Sequence, residues 1–205
     1  MMVLKEKSVI KRYLNELGPN IISSIGQADK LADLGCGQGQ LLELLSEDFK
    51  KDKSSLYGFD LSSDFINKTK KSFDNVFCLD LNKENLPAQD FEIIFALDVI
   101  EHLNSALVFL EKAALAIRSN GLIIISTPNT RSLSYFLQGK NWYAFKDETH
   151  LHFYNRQQLA KLLSQTGFKI INSKTISNTS YPIYNKIISI LGLGGQILLA
   201  AEKIQ

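Results

Sequence analysis

Leu31-Ala32-Asp33-Leu34-Gly35-Cys36-Gly37-Gln38-Gly39 carries the pattern from which the fold class follows. Lys30–Leu34 reads as a strand, the three glycines as a sharp bend, and Leu41, Leu42, Leu44, Leu45 and Phe49 as the apolar face of a helix. Glycine lets the backbone turn and approach a ligand closely. The pyrophosphate fingerprint of dinucleotide enzymes is Gly-x-Gly-x-x-Gly, and here Gln40 stands where its last glycine would be. Asp33, just before the bend, suits a cationic amino-acid ligand better than a pyrophosphate.

Downstream, strand and helix patterns alternate. Ser55–Asp60, Val76–Asp80, Phe91–Asp98 and Leu122–Ser126 read as strands. Phe91–Asp98 is almost continuously apolar, as a strand buried on both faces should be. Ser62–Phe73 reads as a helix, and Leu103, Leu107, Leu110, Ala114 and Ile117 predict another over 103–118, ended by Asn120-Gly121. Residues 130–155 read as a long, mostly irregular stretch on the acceptor side, a loop or lid. Arg156–Thr166 then reads as a helix, Phe168–Lys174 as a strand, Tyr184–Ile190 as a helix and Gln196–Ala201 as a final strand. Upstream, residues 3–17 and a short segment through Ile25 predict a helical cap over 1–26. This alternation implies one α/β domain over 1–205, with a mostly parallel sheet and helices on both faces. Such sheets bind ligands at the carboxyl ends of their strands, where strand order reverses.

Four successive strands end on aspartate: Asp33, Asp60, Asp80 and Asp98. An acid about 20 residues past the glycine bend can accept from both ribose hydroxyls. Asp80 can accept from an exocyclic amine such as that of adenine. Each has a plainer reading, as a helix cap or a solvated turn residue. The ordered strings LADLGCGQG, GFDLS, CLDL, FALDVIEHL and GLIIISTPN resemble a class I methyltransferase, and most of all the group related to ubiquinone-biosynthesis O-methyltransferases. The resemblance runs from about Leu31 to Asn129, more loosely to Phe168. It implies a Rossmann-like, seven-stranded sheet whose last strand is antiparallel. It implies S-adenosylmethionine as cofactor, with S-adenosylhomocysteine as product. Asp33, Gly35 and Gly37 would line the methionine part, Asp60 the ribose, Asp80 the adenine amine, and Asp98 the region near the methionine. Cys36, Leu61, Leu81 and Leu97 complete the expected cofactor-binding set. Cys36 reads as a small loop filler rather than a nucleophile, since no histidine lies near it in sequence.

Methyl transfer to a hydroxyl or amine is helped by a base, and histidine titrates near neutrality. The chain has three histidines, His102, His150 and His152. By the resemblance, Glu101-His102 lies at the floor of the acceptor pocket. His102 is the first candidate base and His150 the second; a helix-start packing role is the plainer reading of His102. His150 and His152 beside Asp147 and Glu148 have the residue types of a metal site, but nothing else in the sequence supports one, and no metal is expected. Trp142, Tyr143, Phe145, Phe153 and Tyr154, with Tyr135 and Phe136, read as an acceptor-pocket lining in preference to a core.

The bulk composition narrows the partners. Among 205 residues, 45% are hydrophobic and 21% charged, with a net charge of +2. That field is too weak to argue for nucleic acid or membrane. The expected partner is a small-molecule methyl acceptor, with no nucleic acid and no stable membrane insertion; oligomeric state is not legible. Two cysteines, no metal-ligand spacing and a charged start read as a reduced, cytoplasmic protein without a signal peptide. Two other functions compete. One is a nicotinamide-dependent oxidoreductase, disfavoured by Gln40. The other is a non-catalytic cofactor-binding protein, which the intact series of acids argues against.

Overall fold

The computed structural model describes residues 7–86, 90–177 and 182–204. Seven strands form one sheet: β1 (Leu31–Leu34), β2 (Leu56–Asp60), β3 (Val76–Cys78), β4 (Phe91–Leu97), β5 (Ile117–Pro128), β6 (Phe168–Ile176) and β7 (Gln196–Lys203). Their order is β3-β2-β1-β4-β5-β7-β6. β1 pairs in parallel with both β2 and β4, so the order reverses beside it. β7 is antiparallel to both β5 and β6, as expected for the last strand.

Period-2 burial builds the two layers. Ile93, Phe95, Leu97, Leu122, Ile124, Leu198 and Ala200 face one side of the sheet. Ile94, Ala96, Ile123, Ile125, Leu199 and Ala201 face the other. The first side is covered by α1 (Lys7–Glu16), α2 (Pro19–Gln27), α3 (Gln40–Asp48) and α4 (Ser63–Thr69), through Ile10, Leu14, Ile25, Leu45 and Ile66. The second is covered by α5 (Ala106–Ala116) and α7 (Arg156–Gln165), through Phe109, Leu110, Leu159 and Leu163. Two further helices, α6 (Leu133–Gln138) and α8 (Pro182–Ile190), flank the carboxyl ends of β5 and β6. Among the described residues, no helix is long and apolar enough to cross a membrane.

Several boundaries differ from the sequence reading. The helix expected over 103–118 is a 3-10 turn (Ile100–His102) followed by α5. Ser105 starts α5 by accepting from the Val108 N–H, and such a cap fixes the first turn. At its other end Ile117 leaves the helix to pair with Phe91, while Arg118 pairs with Glu92 at 2.9 Å. The strand partner therefore outweighs the helical periodicity, and Asn120-Gly121 lies within β5. The stretch 130–155 holds α6, capped by Ser132, and two 3-10 turns (Gly139–Asn141 and Tyr143–Lys146).

Candidate active site

The bend after β1 is built by glycines that the backbone requires. Gly35 has φ +74°, and a Cβ there would stand 2.6 Å from Val99 Cγ2. The Gly35 and Cys36 N–H groups both donate to the Phe59 carbonyl, at 2.7 and 3.0 Å. The Gly37 N–H donates to Asp60 Oδ2 at 2.8 Å, and Thr69 Oγ1 donates to the Gly37 carbonyl at 3.1 Å. β1, β2 and α4 thus hold the bend from three sides.

A cavity of about 460 Å³ opens in front of this bend. Of the expected set it brings together Asp33, Gly35, Cys36, Gly37, Leu97, Asp98, His102 and His150. Four carboxylates border it, Asp33, Asp98, Glu101 and Asp147, and no lysine or arginine does among the described residues. Such a wall favours a cationic ligand. Burial pushes the Cys36 thiol well above its ordinary pKa, with Asp33 and Asp60 adding to the effect. It is therefore a neutral packing group and not a nucleophile.

Asp98 is held unusually. Its φ is +49°, a region that non-glycine residues seldom adopt. Ser126 fixes it: the Asp98 N–H donates to the Ser126 carbonyl at 2.9 Å, and Ser126 Oγ donates to Asp98 Oδ1 at 2.6 Å. Tyr13 Oη of α1 donates to Asp98 Oδ2 at 3.3 Å. Burial first, and Asp98 second, hold the Tyr13 hydroxyl far above its usual pKa, so it remains a donor.

Asp60, Leu61, Asp80 and Leu81 are not among the residues around this cavity. Asp60 is 2% exposed, and its two oxygens accept from the Gly37 and Ser62 N–H groups. Those backbone donors capture the side chain, so here it ties the glycine bend to β2. Asp80 pairs with Lys83 at 3.0 Å and accepts from the Asn82 N–H, and both contacts hold its carboxyl below the usual range. Leu61 is 68% exposed, while Leu81 packs partly against the core. The four therefore lie at and beyond the ends of β2 and β3, outside the cavity. Asp60→Asn should leave either the Gly37 or the Ser62 N–H facing an amide N–H and cost about 1–3 kcal/mol of stability. Urea denaturation measures this, and an unchanged midpoint would refute the tie.

At the opposite wall, His102 and His150 stand with ring centroids 4.7 Å apart. His102 Nδ1 lies 2.9 Å from Thr149 Oγ1 and 3.2 Å from the Thr149 carbonyl. Thr149 Oγ1 donates its only proton to Asp147 Oδ1 at 2.6 Å. Both Thr149 oxygens therefore accept from His102, which puts the proton on Nδ1 and leaves Nε2 basic. Burial, and then His150, lower the His102 pKa from 6.5, so the ring is neutral at pH 7. His150 Nδ1 likewise donates to the Ala144 carbonyl at 2.7 Å. His152, by contrast, bonds through Nε2 to the Asn104 carbonyl and does not border the cavity.

Glu101, His102 and His150 offer one ligand atom each within 4.8 Å of one another, a set that can take a divalent cation. This trio differs from the His150/His152 pair weighed from sequence. The first two members were legible in FALDVIEHL, but their meeting with His150 was not. It depends on the Leu151 and His152 N–H groups, which donate to the Glu101 carbonyl at 2.8 and 3.1 Å.

Of the aromatic cluster, Trp142 and Tyr154 are buried, while Phe136, Tyr143 and Phe145 are exposed. Trp142 is fully buried and meets Tyr135, Tyr143, Phe145 and Phe153 at 5.2–5.8 Å. Of these only Tyr143 borders the cavity. It also borders a second, adjoining cavity of about 530 Å³, as do Val9, Asp98 and Gln196. No local pattern marks Val9, Tyr13 or Gln196, which reach the site only by tertiary docking.

Comparison with known proteins agrees with this architecture. A protein family described as a methyltransferase domain matches residues 4–173. A ubiquinone biosynthesis O-methyltransferase from Bradyrhizobium diazoefficiens is 32% identical over 113 residues, covering 53% of this chain and 43% of that protein. The chain thus spans less than half the length of that curated relative. A ubiquinone/menaquinone biosynthesis C-methyltransferase from Campylobacter jejuni is 22% identical over 173 residues, covering 72% of this chain and 74% of that one. A solved SAM-dependent methyltransferase from Archaeoglobus fulgidus shares the fold, with TM-score 0.71, 21% identity and coverage of 97% and 95%. So does magnesium protoporphyrin IX methyltransferase from Synechocystis PCC 6803 with bound SAH, with TM-score 0.68, 16% identity and coverage of 96% and 83%. The match over residues 4–173, on a sheet of this order with its glycine bend at the switch point, means that the chain belongs to the methyltransferase-domain family.

Proposed function

We propose that this chain transfers the methyl group of S-adenosylmethionine to a hydroxyl oxygen of a small molecule, with His102 as the general base. The observation that carries the reading is the single cavity joining the glycine bend, Asp33 and Asp98 to the neutral His102. The residues fit the cofactor: Gly35 and Gly37 turn the backbone at positive φ along the border of the cavity, and the carboxylate wall suits an ammonium and a sulfonium. When bound, the cofactor supplies an electrophilic methyl carbon whose leaving group is already activated. Asp33, Gly35, Gly37 and Asp98 would hold its amino-acid end. Asp60, Leu61, Asp80 and Leu81 are the residues proposed for its nucleoside, Asp60 through its hold on the bend. His102 Nε2 takes the acceptor proton, while Thr149 and Asp147 fix the ring. The rest of the task is alignment of the acceptor.

A second reading rests on the Glu101/His102/His150 trio, in which a cation would lower the acceptor pKa in place of the base. One assay separates the two. Purified protein is incubated with methyl-labelled cofactor and a panel of phenols, quinols and sugars, with and without EDTA. The base reading expects label on oxygen in both conditions. Loss of turnover with EDTA and its return with added zinc or magnesium would favour the cation. Absence of transfer to any oxygen acceptor, with label instead on nitrogen or carbon acceptors, would overturn O-methylation.

A further inference from the structure

The wall formed by α1 does not end at the second cavity. Val9 borders the first and second cavities, Arg12 borders the second and a third groove of about 710 Å³, and Glu16 borders that groove alone. Residues three and four apart share a helix face. Val9 to Glu16 therefore marks one continuous track, about 10 Å long at 1.5 Å per residue.

The charge along this track reverses. The first cavity is bordered by four carboxylates. The third groove is bordered by Arg12, Arg156, Lys174 and Lys186 against the single carboxylate of Glu16. Glu16 is engaged with Lys174 at 2.9 Å. Among the described residues, no ion pair neutralises Arg12, Arg156 or Lys186. Arg12 borders both the second cavity and the groove, and its Nε is buried with no hydrogen-bond partner. A buried donor needs an acceptor, and a guanidinium pairs best with a planar or tetrahedral oxyanion. The second cavity between the two charged ends is largely apolar, with Leu133, Leu137, Ile176, Ile188 and Leu193 on its wall.

We propose that the groove binds the phosphate or diphosphate group of the methyl acceptor, whose apolar body fills the second cavity and whose hydroxyl reaches His102. Three cations without an ion-pair partner among the described residues match a group carrying about two or more negative charges, as phosphoryl groups do, better than a single carboxylate. The opposed potentials orient such a molecule, since its anionic end is repelled from the cofactor cavity and drawn to the groove. The acceptor assignment rests on methyl transfer at the first cavity; anion binding by the groove does not.

The test is calorimetric titration of the intact chain with inorganic pyrophosphate, beside titration with S-adenosylhomocysteine. The wild type should bind pyrophosphate, more weakly as salt rises. Arg12→Gln and Arg156→Gln should each weaken that binding by about tenfold while leaving S-adenosylhomocysteine affinity unchanged, which also reports that the variants are folded. Absence of pyrophosphate binding, or unchanged affinity in the double variant, would overturn the proposal. Sedimentation with phosphatidylglycerol vesicles distinguishes a lipid headgroup: binding to vesicles without binding to pyrophosphate also overturns it. Pyrophosphate binding without S-adenosylhomocysteine binding would keep the anion groove and remove the acceptor assignment.

Discussion

Gly35→Ala is expected to reduce cofactor affinity at least about tenfold, equivalent to about 1.4 kcal/mol. Two costs combine at this position. Its φ of +74° is one that an L side chain adopts at a cost of about 1–2 kcal/mol. The new methyl would also stand 2.6 Å from Val99 Cγ2, inside the range where something must move. Val99 is buried and follows Asp98 at the end of β4, so relief of the clash displaces the wall that carries Asp98. Relief in the other direction pulls the bend from the Phe59 carbonyl and from Asp60. Gly139→Ala is the matched control. Gly139 also has positive φ, +50°, but a Cβ there meets nothing within 4 Å. It should lose about 1–3 kcal/mol of stability and keep cofactor affinity. Equal affinity losses in the two variants would show that the bend has no special relation to the ligand.

His102→Ala is expected to lower kcat by about 10²–10⁴, the usual contribution of a general base. Cofactor affinity should be nearly unchanged, because the amino-acid end of the cradle is built by other residues. The pH profile gives an independent reading. Burial and His150 depress the His102 pKa, so the acid limb of kcat/KM should fall below pH 6.5. His150→Gln removes the His150 contribution to that depression, and the limb should move upward. The same shift appears in stability. Between the folded pKa and the unfolded value near 6.5, the unfolded chain binds more protons. Stability from this group is therefore complete above pH 6.5 and is lost as pH falls through that window. A limb above 6.5, or a His102→Ala enzyme with full kcat, would remove the base assignment.

The sheet was legible because its evidence is local. Apolar runs, a glycine bend after the first strand, and helical periods between strands each report on a few neighbouring residues, and together they imply one parallel sheet. Asp33 and Asp98 were legible for the same reason: a strand end in this fold faces the ligand crevice. Asp60 shows where that logic stops. Its position at the strand end was readable, but its direction was decided by the Gly37 and Ser62 N–H groups, one of them 23 residues away. Trp142 shows the same limit from the other side. An aromatic cluster in a long loop reads as a pocket lining, yet Trp142 became the centre of a small core. The surrounding rings could bury it completely only once the loop had folded back on itself. The pairing of His102 with His150 needed the 47-residue contact through Thr149, and the wall made by α1 needed a helix from the start of the chain to dock over β4 and β5. These are tertiary facts with no local trace.

The most direct measurement is calorimetry of the intact chain with S-adenosylhomocysteine. Saturable one-to-one binding is expected, weakened by Gly35→Ala and left intact by His102→Ala. No heat with this nucleoside, or equal binding by the Gly35 variant, would contradict the claim that the glycine bend and its acids form the cofactor cradle.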